Sequence, residues 1–302
     1  MRILITGGAG FLGNELVRQL YDRCERIVIF SRDEHKHSEM QRIWPEYPDN
    51  KMRYMLGDIR NVSRLAQAMR GCDAVIHAAA MKEVPAAEYN PQEAVYTNVI
   101  GGLNVVDACN VAGVRKCMFV STDKAVESTT LYGMTKAVAE RIAISGNNLG
   151  KCRFSACRYG NVMGSTASVI PVWRKQAADG KPVTLTCGDM TRWWEGIETL
   201  AAFLIRSFDE MQGGEVFVPK MTASTVRELA IKTIGHDNLN FKEIGIRPAE
   251  KMHETLVSEV DARDCWDCGG HYVIYPSFHE WIKDYAKKGD KVDESFRYRS
   301  CD

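Results

Sequence analysis

A glycine-rich turn at the head of the chain constrains its fold more than any other feature. Thr6-Gly7-Gly8-Ala9-Gly10-Phe11-Leu12-Gly13 follows the apolar run Arg2–Thr6 and leads into a helical pattern that lasts through Leu20. In such a setting the glycines allow a tight turn, close approach of backbone to a pyrophosphate, and packing of helix on sheet. The helix start adds free N–H groups and a positive dipole end. A glycine pattern alone is weak, but one set between a strand and a helix is strong. Thr6, Gly7, Gly10, Phe11, Leu12 and Gly13 are therefore assigned to a dinucleotide cofactor.

The pattern after the turn agrees. Apolar runs at Arg26–Phe30, Met52–Leu56, Ala74–His77, Cys117–Ser121 and Arg153–Tyr159 predict buried strands, and Val62–Arg70, Pro91–Ala112 and Tyr132–Ser145 predict helices between them. Strands alternating with helices indicate an α/β fold with a doubly wound parallel sheet of the Rossmann type. Residues 1–163 are expected to form the NADP-binding domain, with parts of 191–235 returning to it. Residues 164–190 and 236–302 are expected to form a smaller C-terminal substrate-binding lobe over the carboxyl ends of the strands, where ligands bind in such sheets. The highly charged stretch Lys287–Asp302 is expected to be ordered only if it docks.

Charge excludes some functions. With 39 basic and 39 acidic side chains the net charge is zero, so there is no electrostatic footprint for nucleic acid. No apolar run approaches the roughly 20 residues that span a bilayer, and the strand beginning at Arg2 leaves no room for a signal peptide. The ten scattered cysteines read as reduced thiols of a cytoplasmic protein. Cys265-Trp266-Asp267-Cys268 has the spacing of half a zinc site or a redox pair, but no second pair lies nearby, and no metal is expected.

The end of the second strand bears on the cofactor. An acid there binds a ribose 2′-hydroxyl, whereas an arginine accommodates a 2′-phosphate. Ser31-Arg32-Asp33 with Lys36 favours NADP, and Asp33 keeps NAD as the second choice. Asp58, next to Ile59, is positioned to accept from an adenine amine, and the small residues Ala78, Ala79 and Ala80 let backbone come close to a dinucleotide. His77 reads as a structural hydrogen-bonding residue.

Residues 121–136 carry the chemistry. Thr122, Asp123 and Lys124 place a hydroxyl, a carboxylate and an amine just after a strand, and Tyr132 is followed one helical turn later by Lys136. Residues four apart share a helix face, and a cation beside a phenol lowers its pKa. The expectation is therefore a Tyr132 proton acceptor tuned by Lys136, beside a separate acid–base cluster. That is more machinery than alcohol oxidation needs.

These residues resemble those of the extended short-chain dehydrogenase/reductase superfamily, and more narrowly those of the inverting UDP-N-acetylglucosamine 4,6-dehydratases. The likeness rests on Ser31–Glu34, His77–Pro85, Ala87–Pro91, Ser121–Lys136, Arg158–Gly164, Ser168–Pro171, Thr191–Trp194 and Ile246–Glu254. It departs at Glu83, where histidine is usual, at Glu127, where proline is common, and at Ala249, where glycine is common. The resemblance implies oxidation at C4 by Tyr132, removal of the C5 proton by Lys124, protonation of the departing 6-hydroxyl by Asp123, and hydride return to C6. Lys124 must be neutral for this, and burial beside the nicotinamide is expected to lower its pKa. Thr122 would bond the 4-oxygen, Lys136 would hold the nicotinamide ribose, and Asn98 would contact the cofactor.

The resemblance also implies substrate contacts by Lys82 and Asn161, a diphosphate fork at Arg192 and Arg247, and a uridine ribose contact at Glu250. Surface ion pairing is the plainer alternative for Arg247, Glu250 and Lys251, and core packing for at least one of Trp193 and Trp194. The UDP-sugar partner comes with an expected homo-oligomer. Rival readings are a retaining dehydratase (Asp-Glu where this chain has Asp123-Lys124), a 4-epimerase, a reductase, or a non-catalytic NADP-binding regulator.

Overall fold

Strands buried on both faces of a parallel sheet read as unbroken apolar runs, and Ile3–Ile5, Ile27–Phe30, Ala74–Ile76 and Cys117–Phe119 are such runs within the chain's first six strands. They are β1 (Arg2–Thr6), β2 (Arg26–Ser31), β3 (Met52–Leu56), β4 (Ala74–His77), β5 (Lys116–Val120) and β6 (Arg153–Cys157). In the computed structural model, which describes all residues except 47–49, 166–167, 236–239 and 278–285, they pair in parallel in the order β3-β2-β1-β4-β5-β6. Ile3, Leu4, Ile5, Ile27, Ile29, Val75, Ile76, Cys117 and Phe154 fill the core of this sheet. The strand order reverses between β1 and β4, the switch point outside which ligands bind in such sheets. The fold is α/β, as the alternation of runs predicts.

Helices Phe11–Leu20 and Ile197–Glu210 pack together, as do Val62–Met69, Gly101–Ala112 and Leu131–Gly146. The expected helix over 91–112 is continuous, with a π-helical turn Val95–Ile100 between Pro91–Ala94 and Gly101–Ala112. Such π turns recur at functional sites, and Asn98 lies in this one.

The chain continues through β7 (Asn161–Val162), β8 (Val183–Leu185), β9 (Thr191–Glu195), β10 (Val216–Pro219), β11 (Thr222–Thr225), β12 (Phe241–Glu243), β13 (Thr255–Val257), β14 (Cys265–Asp267), β15 (His271–Ile274), β16 (Asp290–Lys291) and β17 (Tyr298–Arg299). β10 adds in parallel beside β6, and β15, β14 and β16 follow antiparallel to complete a ten-stranded sheet. Residues 265–274 and 290–291, which the sequence assigns to the lobe, thus belong to the central sheet. Strands this short carry too little periodicity to announce which sheet they join.

A second core gathers Ile170, Trp173, Val183, Leu185 and Met190 with Val226, Leu229 and Ala230. The helix Val226–Ile234, opened by a Thr225/Glu228 capping box, therefore sits in this small core and not on the main sheet. The charged terminus is docked: β17 pairs with β13, the Tyr298 hydroxyl accepts from Met221 N at 2.8 Å, and its ring lies 4.4 Å from that of Trp193. Among the described residues no helix is long and apolar enough to cross a membrane.

Candidate active site

The glycine turn is a cradle lined by backbone. Gly7 has φ +68° and donates to Phe30 O at 2.8 Å, and a Cβ there would lie 2.9 Å from Ala79 N and Cα. A Cβ on Gly10 would lie 3.0 Å from Gly7 O, and one on Gly13 would collide with Gly8. Thr6 ties the two sides together, with Oγ1 2.7 Å from His77 Nδ1 and accepting from Ala79 N at 3.3 Å. The backbone of Ala78–Ala80 is thereby held against the turn. His77 is fully buried, and desolvation, helped by Lys136, pulls its pKa down to about 3. It is a neutral structural link.

Beside the cradle, Ser31 Oγ lies 2.7 Å from His37 Nε2. The Asp33 carboxylate caps the helix Glu34–Ile43 through Lys36 N at 3.0 Å and pairs with Lys36 Nζ at 3.3 Å. Arg32 is largely exposed and reaches Asp58 at 3.5 Å. Asp58 is gripped by Arg60 through Nε at 2.9 Å and Nη2 at 2.7 Å, while Ile59 is buried against Gly101. Asn98 departs from the expected cofactor contact. Its amide accepts from Met81 N at 2.8 Å and donates to Met81 O and Thr135 Oγ1, both at 2.9 Å. With donors and acceptor so engaged it pins the loop after β4.

The reactive groups converge because two local caps meet. Thr122 opens the 3₁₀ turn Asp123–Ala125, and Thr130 caps the helix Leu131–Gly146 by accepting from Gly133 N at 3.1 Å. Gly133 sits directly on Lys124 O, where a Cβ would collide. The helix can pack on the turn only with glycine at that position, and Tyr132 and Lys136 are set beside Thr122–Lys124.

The electrostatics differ from the sequence expectation at two residues. Lys136 donates to Val120 O at 2.6 Å, and burial lowers its pKa to about 8, opposed by Glu140. It is not the cation acting on Tyr132. Burial pushes the Tyr132 phenol up to about 12, Lys124 and the Thr122 hydroxyl pull it down, and Asp123 and Glu83 push it up. Lys124 in turn is not lowered. Burial opposes its charge, but Asp123 at 3.0 Å and Glu254 at 3.5 Å outweigh burial and raise its pKa. Asp123 is fully buried, and desolvation and Glu254 raise its pKa against the pull of Lys124. Its Oδ1 accepts from Thr122 Oγ1 at 2.8 Å, while its Oδ2 has no hydrogen-bond partner among the described residues.

The expected substrate residues divide. Asn161 joins the cluster, its Oδ1 accepting from Lys124 Nζ at 3.3 Å. Lys82 lies exposed beside Glu83, and Arg247 is exposed on the loop whose Glu250 it caps through N at 3.3 Å. Arg192 does not present a diphosphate fork. It is buried and donates to the carbonyls of Thr191, Met252 and Lys251 and to Glu250 at 2.8, 3.1, 2.9 and 3.2 Å. Trp193 is core, packed over Gly160.

Lys251, read from the sequence as part of a surface ion-pair cluster, instead pairs with the buried Glu254 at 3.3 Å. Sequence reasoning passed over Glu254 itself, although it lies in the block Ile246–Glu254. It also passed over Glu140, which is buried behind Lys136 and is held by Ser121 Oγ and Arg158 Nη2, each at 2.6 Å. Cys265 is buried in β14, where desolvation pushes its thiol up to about 12. Among the described residues no group of His, Cys, Asp and Glu could hold a metal.

A switch-point cradle followed by a Tyr–Lys pair on one helix defines an extended short-chain dehydrogenase/reductase. Within that class the chain belongs to the polysaccharide biosynthesis protein family, whose model matches residues 3–276. It is 42% identical over 99% of its length, and 92% of the relative's, to UDP-N-acetylglucosamine 4,6-dehydratase (inverting) of Campylobacter jejuni subsp. jejuni serotype O:23/36 (strain 81-176). It is 38% identical to UDP-glucose 4-epimerase of Rickettsia akari (strain Hartford) over 90% of this chain and 82% of that one. The X-ray structure of Pen from Bacillus thuringiensis superposes with a TM-score of 0.90 at 32% identity, covering 99% of this chain and 92% of that one.

Proposed function

We propose that this chain is a nucleotide-sugar 4,6-dehydratase that converts a UDP-N-acetylhexosamine, UDP-N-acetylglucosamine first among them, into a 4-keto-6-deoxy sugar with inversion at C5. Its product would feed surface glycan synthesis. The observation that carries this reading is the pairing of buried Asp123 with Lys124, 3.0 Å apart and next to Tyr132. It supplies an acid and a base beyond what hydride transfer requires. The name of the Campylobacter relative points to the same reaction. A 4-epimerase, the activity named for the Rickettsia relative, needs no base at C5.

Thr6–Gly13 and the Ala78–Ala80 backbone would hold a dinucleotide pyrophosphate, and Lys136 its nicotinamide ribose. That cofactor, when bound, accepts hydride from C4 and returns it to C6. NADP is preferred, because Asp33 is occupied as a helix cap while Arg32 remains exposed to meet a 2′-phosphate; NAD is the second choice.

Tyr132 takes the 4-hydroxyl proton while Thr122 steadies the oxygen. Oxidation at C4 acidifies the C5–H. Lys124 passes its proton to Asp123, 3.0 Å away, and the freed amine takes the C5 proton. One transfer thus arms both the base and the acid. Asp123 then protonates the 6-hydroxyl, which leaves as water. Delivery of a proton to the opposite face of C5 inverts that centre.

The reading places the reaction in the cytoplasm, in keeping with ten unpaired thiols, and includes a homo-oligomer. Tyr96, Ile100 and Leu103 expose apolar side chains at helical spacing, as do Met134 and Val138 on the neighbouring helix, and a two-fold pairing would cover both stripes. Incubation with UDP-N-acetylglucosamine and NADP tests the activity. A product that has lost water and carries the opposite C5 configuration by NMR supports the reading; a 4-epimer of unchanged mass contradicts it.

A further inference from the structure

Glu254 is the second carboxylate on the amine of Lys124, and none of the steps above uses it. Its side chain is 4% exposed. Oε1 lies 3.5 Å from Lys124 Nζ and Oε2 lies 3.3 Å from Lys251 Nζ, which itself donates to Val126 O at 2.8 Å. The backbone is clamped by the docked terminus, with Glu254 N donating to Ser300 Oγ and Ser300 N to Glu254 O, each at 2.9 Å. Asp123, Lys124, Glu254 and Lys251 therefore form a row of alternating charge whose carboxylates are buried and whose amines are partly exposed. Facing that row are Tyr132 from the helix Leu131–Gly146 and Arg192 from β9, the latter paired with Glu250; Glu83 faces Tyr132.

We propose that Glu254 is a positioning residue of the elimination step, holding Lys124 Nζ between two carboxylates and setting how readily the amine releases its proton to Asp123. The inference rests on the proposed dehydration. In that step the N–H bond of Lys124 breaks toward Asp123 Oδ1 and the freed lone pair takes the C5 proton. The C5–H electrons form the C5–C6 double bond, and the C–O electrons depart with the 6-hydroxyl, which leaves as water on taking the Asp123 proton. A carboxylate 3.5 Å from the amine in a site with little water favours ammonium. Glutamine in its place keeps shape and hydrogen-bonding capacity and removes that bias. Asp123 also loses a neighbouring charge, so both partners of the transfer are retuned by a residue that touches only one of them.

The test uses the full chain as wild type, Glu254→Gln and Glu254→Asp. Carbamylation of Lys124 by cyanate, followed against pH by peptide mass spectrometry without substrate, reads the free amine directly. The proposal expects the Glu254→Gln midpoint to fall by about one pH unit, a roughly tenfold faster labelling below both midpoints, with Glu254→Asp close to wild type. The pH limb of C5 hydrogen exchange on UDP-N-acetylglucosamine should move in the same direction, with NADP affinity unchanged. Coincident labelling profiles in all three proteins overturn the proposal. So does a joint fall of NADP affinity and both readouts in both variants, which is the mark of a merely structural residue. If wild type shows no C5 exchange at all, the dehydratase reading fails, and the cyanate profiles still decide the role of Glu254 on Lys124.

Discussion

Lys136 donates to the carbonyl of Val120 at 2.6 Å and leaves the tuning of Tyr132 to Lys124. The cation one helical turn from the phenol is tied to a strand end, and the cation that acts on the phenol comes from the 3₁₀ turn. In the proposed mechanism Lys124 therefore has two electrostatic tasks, one at C5 and one on Tyr132.

Replacing Lys124 by alanine should separate those tasks from cofactor binding. C5 exchange should fall by about 10²–10⁴-fold, the usual worth of a positioned acid–base group. The limb on which C4 oxidation rises with pH should move to higher pH, because Tyr132 loses the group that lowers it. NADP affinity should not change. NMR of the C5 proton, absorbance of the reduced cofactor and fluorescence titration measure the three.

Lys136 carries a pH-dependent stability contribution whose sign is fixed by its environment. Its pKa falls from an ordinary 10.5 to about 8 in the folded protein, so between those values the unfolded chain binds more protons and stability rises with pH. Relative to Lys136→Met, wild type should gain about 3 kcal/mol across that window. Urea midpoints of the two proteins at either end of the window check this, and a flat difference would contradict the assigned burial cost.

Gly7 combines a left-handed backbone at φ +68° with a Cβ position 2.9 Å from the Ala79 backbone. Gly7→Ala should cost at least about 1–2 kcal/mol from conformation alone, plus displacement of the Ala78–Ala80 strand end. Urea denaturation should show the loss, and NADP affinity should fall with it because the same displacement closes the cradle.

Arg32 should decide between the two dinucleotides. With Asp33 held as a helix cap, Arg32→Ala should weaken NADP at least about tenfold through loss of a charge-assisted phosphate contact and leave NAD little changed. Parallel titrations with both cofactors measure the ratio.

How much of this is visible in the chain depends on how local each determinant is. β1 and β4 carry the boundaries their apolar runs predict, because a strand covered on both faces needs no partner to declare itself. The hairpin β14–β15 was hidden, since its few residues gain their place only from the edge of β10. At the site, helical spacing correctly puts Tyr132 and Lys136 on one helix but says nothing of the Val120 carbonyl that claims the amine. Arg192 likewise has the chemistry of a phosphate ligand, and only the folded loop shows its guanidinium filled by three carbonyls and a carboxylate. The charge of Lys124 was misjudged for the same reason. Its second carboxylate, Glu254, arrives from a distant loop clamped by the chain terminus.

The central claim is that Lys124 and Asp123 remove water across C5 and C6 after oxidation at C4. Incubation with UDP-N-acetylglucosamine and NADP in deuterium oxide tests it most directly, with the product read by NMR and mass spectrometry. A 4-keto-6-deoxy product carrying solvent deuterium at C5 is the predicted result. A 4-epimer, or any product whose C5 retains its original hydrogen, would contradict the account.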